Sequence, residues 1–74
     1  MPKPPSLSGT EAVKVFESFG WEAVRQRGSH IILVKDNQST TLSVPNHQEV
    51  AKGTLRSLIR AAGITVEEFV KAIN

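Results

Sequence analysis

The sequence predicts a small α+β domain of order α-β-β-β-α-α, with a three-stranded antiparallel sheet. Three observations lead there. Three segments carry apolar residues at helical spacing, three short segments between the first two helices have strand character, and the connections between those strands are too short for a parallel crossover. The 74 residues suffice for one domain with one small core, so each element must contribute to it.

The elements follow in order. Met1 to Leu7 carries three prolines and is expected to be an extended, mobile tail, leaving 8–74 as a single domain. Ser8-Gly9-Thr10-Glu11 has the form of a capping box, in which the Ser8 hydroxyl accepts from the Glu11 amide and the Glu11 carboxylate reaches back. Ala12, Val15, Phe16 and Phe19 then give a helical stripe, and Gly20 stops a helix expected from about Gly9 to about Phe19. Trp21 to Gln26 reads as the first strand, with Trp21 on the core side. Gly28 is the bend. Ser29 to Lys35 is the second strand, interior because Ile31 to Val34 is apolar throughout. Asp36-Asn37-Gln38 is a turn. Ser39 to Val44 is the third strand, with Leu42 and Val44 on one face, and Pro45 ends it because proline cannot donate into a ladder.

Asn46 to Ala51 reads as a polar loop. A second helix is expected over about Gly53 to Ala62, with Leu55, Leu58, Ile59 and Ala62 as its apolar face and Gly63 as its stop. Thr65-Val66-Glu67-Glu68 forms another capping box, and Val66, Phe69, Val70 and Ile73 supply the stripe of the last helix. All three helices are expected to cover one face of the sheet.

Composition narrows the function. There is no cysteine, which excludes a disulfide framework, a thiolate nucleophile and a zinc–thiolate site. No apolar run is long enough for a signal peptide or a membrane span, so a soluble cytoplasmic protein is expected. The net charge is only +2, so any nucleic-acid binding depends on where the cations lie. His30 and His47 are the only imidazoles, with no carboxylates at ligand spacing, and no glycine-rich phosphate loop is present; neither metal nor cofactor is expected.

Two groups of residues carry possible chemistry. His30 stands at the start of the second strand, flanked in sequence by Arg25, Arg27 and Lys35. An imidazole beside cations suits acid–base work on a phosphodiester. A lone histidine is more often an ordinary hydrogen-bonded residue, and this stretch alone does not lift His30 out of that class. His47 reads either as a second acid–base group or as a solvated loop histidine. Lys52, Arg56 and Arg60, spaced by four, line one helix face with no acidic neighbour at i±4. Such stripes are usually just solvated; unpaired cations about 6 Å apart can also follow phosphates.

Three blocks together resemble a known family: Arg25-Gln26-Arg27-Gly28-Ser29-His30, Val44-Pro45-Asn46-His47, and the run from Lys52 to Gly63. They resemble the HicA toxins (YcfA-like proteins), small ribonucleases of type II toxin–antitoxin pairs. The likeness covers nearly everything from the first helix to the C-terminus. It implies a double-stranded-RNA-binding-domain-like fold and messenger RNA cleavage that depends on the histidine of Gly28-Ser29-His30. It also implies an antitoxin resembling HicB, expected to cover the His30 edge of the sheet. Many members carry a second histidine directly after the first; here that position is Ile31. The residues expected to touch RNA are Arg25, Arg27, Gly28, Ser29, Lys35, Lys52, Arg56 and Arg60, with His47 as an auxiliary. The competing readings are an RNA-binding module with an idle His30 and a purely protein-interacting domain.

Overall fold

A computed structural model describes residues 6–73. They form α1 (Gly9–Glu17), β1 (Glu22–Arg27), β2 (His30–Val34), β3 (Leu42–Pro45), α2 (Lys52–Ala61) and α3 (Val66–Lys71). The sheet is an antiparallel meander in the order β1-β2-β3, so β2 is interior as its apolar run requires. The α+β arrangement is therefore the one expected.

Local chemistry sets the helix starts. Ser8 N–H donates to Glu11 Oε1 at 2.8 Å, and Glu11 N–H donates to Ser8 Oγ at 3.2 Å. Thr65 and Glu68 repeat the exchange at 2.8 and 3.0 Å. Each box satisfies amides that a helix start otherwise leaves open. The backbone amide of Ser8, the Ser8 hydroxyl and, more weakly, Lys14 hold the exposed Glu11 carboxyl below the ordinary 4.5, against a slight loss of hydration. α2 differs: Ala51 stands at its N-cap with no side-chain cap, and its first turn has no acidic residue.

The core gathers Phe16, Leu33, Leu42, Val44, Val50, Leu55, Ile59 and Phe69, all essentially inaccessible. Side chains of this size contribute about 1.5–3 kcal/mol each when removed from water. α1 lies across all three strands, α2 packs on β3, and α3 packs on α2. Phe69 ties α3 inward, its ring centroid 5.1 Å from that of Phe16 at a tilted angle. Trp21 is buried at the start of the hairpin, and among the described residues its indole N–H finds no acceptor.

Several expectations need correction. β3 starts at Leu42 rather than Ser39, because β2 pairs with β3 only from Leu33↔Leu42 onward, and it takes in Pro45 opposite His30. α3 sits beside α2 instead of on the sheet, and its Val70 is 38 % exposed, which removes Val70 from the core stripe. Residues 1–5 of the expected tail lie outside the described residues. Leu7, expected in the extended tail, is buried, and its carbonyl accepts from Val50 N–H at 2.8 Å. Val50, in the segment read as a polar loop, is fully buried for the same reason.

Candidate active site

The β1–β2 hairpin turns on Gly28 and Ser29, with Arg27 and His30 paired across its end. Gly28 has φ +58°, while Ser29 stays at negative φ, the pattern of a type II′ turn whose first position favours glycine. Paired residues of an antiparallel sheet share a face, and neighbours along a strand alternate. Leu33, Leu42 and Val44 are buried against the helices, so Ile31 and Gln26, in register with Val44, point the same way. His30, Ile32, Arg25, Arg27, Ser43 and Pro45 therefore occupy the opposite face, which no helix covers.

His30 and Arg27 are direct cross-strand neighbours there, with Cβ atoms about 5 Å apart. Arg25 is two residues further down the same face, about 7 Å along the strand. All three are exposed. Ile31 lies inward, half-buried against the core, so the position directly after His30 does not belong to the His30 face.

This end of the sheet is braced from two sides. Asn46 N–H donates to Ser29 carbonyl at 2.6 Å, and Gly9 N–H donates to His47 carbonyl at 2.9 Å. Gly9 fits tightly: a Cβ there would run into the Pro45 carbonyl oxygen and come within 2.8 Å of Asn46 Cα. The hairpin turn, the Asn46–His47 loop and the start of α1 thus form one joint, with the exposed His47 on it. Lys52 opens α2 where no acidic side chain offsets the positive end of the helix dipole.

The other expected residues lie elsewhere. Lys35 is five residues along from His30, about 17 Å at strand spacing. Its stem lies over Gly20, whose added Cβ would meet Lys35 Cε at 3.2 Å. It therefore does not flank His30 in space. Arg56 and Arg60 are exposed on α2 and line a groove facing α3. Gly9 and the Asn46 amide were not foreseen. The sequence flags Gly9 only as part of a cap, since its close contact depends on where β3 ends.

Among the described residues, no three His, Cys, Asp or Glu side chains come together to hold a metal ion. No helix there is long and apolar enough to cross a membrane.

These features define a small α+β protein with a one-sided sheet whose bare side gathers an exposed histidine and two arginines. A family model described as the HicA toxin of bacterial toxin–antitoxin systems matches residues 9–64, which take in α1, the whole sheet and α2. The chain belongs to this HicA toxin family; it is the toxin of a toxin–antitoxin system, and its family implies an antitoxin as partner. No curated protein matches the chain.

Proposed function

We propose that this toxin is an endoribonuclease that cleaves messenger RNA in the cytoplasm, with His30 as its general acid–base group. The observation that carries the reading is the pairing of exposed His30 with Arg27 on the uncovered sheet face, with Arg25 beside them.

The chemistry follows from what these side chains can do. His30 takes the proton of an RNA 2′-hydroxyl, and that oxygen attacks the adjacent phosphorus. The P–O5′ bond breaks, and a proton returned to O5′ releases a 5′-hydroxyl and a 2′,3′-cyclic phosphate. His30 can serve both proton transfers in turn. His47 is the auxiliary candidate, because its loop is bonded to the His30 turn. Arg27 is best placed to offset charge developing on the phosphorane oxygens. Arg25 and Lys52 extend a cationic path for neighbouring phosphates, and the Gly28-Ser29 turn borders it. The route needs no metal and requires the 2′-hydroxyl, so DNA is not a substrate. A HicB-like antitoxin that covers this face would relieve growth arrest, and half-buried Ile32 and Val34 offer it apolar contact.

The test is cleavage of a defined transcript in the presence of chelator, with a DNA of the same sequence beside it. His30→Ala should lose about 10²–10⁴-fold in cleavage, stop growth arrest and keep its melting temperature and most RNA affinity; His47→Ala should lose less. Folded His30→Ala with full activity refutes the role of His30. RNA binding without turnover in the wild type would make the protein an RNA-binding module with an idle histidine.

A further inference from the structure

A groove of about 460 Å³ lies between α2 and the start of α3. Ile59, Ile64 and Val66 form its apolar lining, Arg56 and Arg60 stand on the α2 side, and Glu67 is on the α3 side. Its floor is built into the end of α2. Gly63, at φ +78°, lets the chain reverse, and Ile64 N–H donates back to Ile59 carbonyl at 3.3 Å. That is a Schellman closure, which places the two isoleucines against each other. The groove is therefore part of the fold and exists before any ligand arrives.

We propose that this groove seats a segment of a partner protein that presents an apolar side chain next to carboxylates, and that the partner is the antitoxin implied by the toxin's family. Two properties select such a segment over RNA. The lining is branched aliphatic and includes no aromatic ring for a base to stack on. A phosphate chain gains nothing from Ile59, Ile64 and Val66, whereas a leucine or isoleucine side chain fills a socket of this kind. Charge then sets the orientation. Arg56 and Arg60 are one helical turn apart, about 6 Å, and each can take a carboxylate in a two-pronged hydrogen bond. Glu67 repels a carboxylate on the opposite side. The segment thus enters with its acidic residues along α2 and its apolar residue downward.

The position has a functional meaning. Arg60 is eight residues beyond Lys52, about 12 Å along the helix, and the groove faces α3 instead of the bare sheet face. A segment held here anchors a partner without itself covering His30. Arg56 and Arg60 then belong to protein recognition and are removed from the phosphate track.

The experiment uses the whole protein, labelled for methyl and amide NMR, and three synthetic 12-residue peptides. One mixes leucine with glutamate, the second replaces glutamate by lysine, and the third replaces leucine by serine. A 12-nucleotide single-stranded RNA is the fourth probe. The leucine–glutamate peptide should shift the Ile59, Ile64 and Val66 methyl signals saturably. Arg56→Glu with Arg60→Glu should weaken this by roughly tenfold or more, and both control peptides should bind more weakly. Val66→Thr, nearly isosteric at a half-buried position, should weaken the leucine peptide while the amide spectrum stays folded. Three results overturn the proposal: no saturable shift at millimolar peptide, equal binding of the serine peptide, or RNA moving the same methyls as strongly. None of these readouts requires cleavage, so the groove and the nuclease reading fail separately.

Discussion

Gly9→Ala tests the joint that holds the His30 end of the sheet. The added Cβ would press on three backbone atoms: the Pro45 carbonyl oxygen, Asn46 Cα at 2.8 Å and Pro45 carbonyl carbon at 3.1 Å. Backbone cannot swing aside as a side chain does, so the strain belongs near the top of the usual overpacking cost of about 1–3 kcal/mol. Alanine's helix preference returns at most about 1 kcal/mol. The net loss is about 2 kcal/mol, and a domain of this size loses about 4–8 °C of melting temperature per kcal/mol, or roughly 8–16 °C. If the chain relieves the clash by moving Pro45 and Asn46, the shift passes to His30 and Ser29 through the ladder and the Asn46–Ser29 hydrogen bond. Displacements near 1 Å can cost about 10²-fold in rate, so cleavage by folded Gly9→Ala should also fall. Gly53→Ala is the matched control: its Cβ would meet nothing within 4 Å, and it should gain about 0.5–1 kcal/mol. Thermal melts of the two variants against wild type decide the matter. A Gly9→Ala protein that melts at or above the wild-type temperature refutes the close-approach argument.

The remaining predictions test caps and faces. Ala51→Asp supplies α2 with the cap it lacks and should add about 1 kcal/mol by denaturant titration, yet weaken RNA binding by placing a negative charge beside Lys52; Ala51→Ser should stabilise without that loss. The Glu11 carboxyl is held below 4.5 in the fold, so its cap contributes above the unfolded value and is lost as pH falls through the folded one. Melting temperature should therefore drop on acidification below about pH 4.5 more in wild type than in Glu11→Gln; parallel curves would count against the box. Ile31→His should lower the melting temperature without raising cleavage, since its side chain points at the core, and a more active variant would show that the strand faces are assigned wrongly.

What could be read from the sequence was local. Both capping boxes connect residues three apart, and the Leu42/Val44 alternation sits within one strand, so chain order alone exposes them. The burial of Leu7 and Val50 was hidden because each is a lone apolar residue in a polar or proline-rich stretch, without a period to reveal it. They meet only because α1 and the loop before α2 run together. Lys35 misled in the other direction. It is close to His30 along the chain, but a strand turns five residues into about 17 Å. The shared face of Arg25, Arg27 and His30 needed the hairpin register, and the bulge between Ala23 and Arg25 shifts that register within β1.

Trp21 makes the molecule its own optical reporter. The sequence has one tryptophan and no tyrosine, so near-ultraviolet absorption and emission come almost wholly from this indole. Only 3 % exposed, it should fluoresce toward the blue when folded and shift red as water reaches it. It also sits at the open end of the β1–β2 hairpin, next to Glu22, which pairs with Val34; Arg27 and His30 close the other end, about 17 Å away at strand spacing. RNA engaging the histidine end has no direct path to quench it. One emission spectrum can thus follow unfolding while nucleic acid is titrated in the same cuvette, which lets loss of binding be told apart from loss of fold in every variant proposed above.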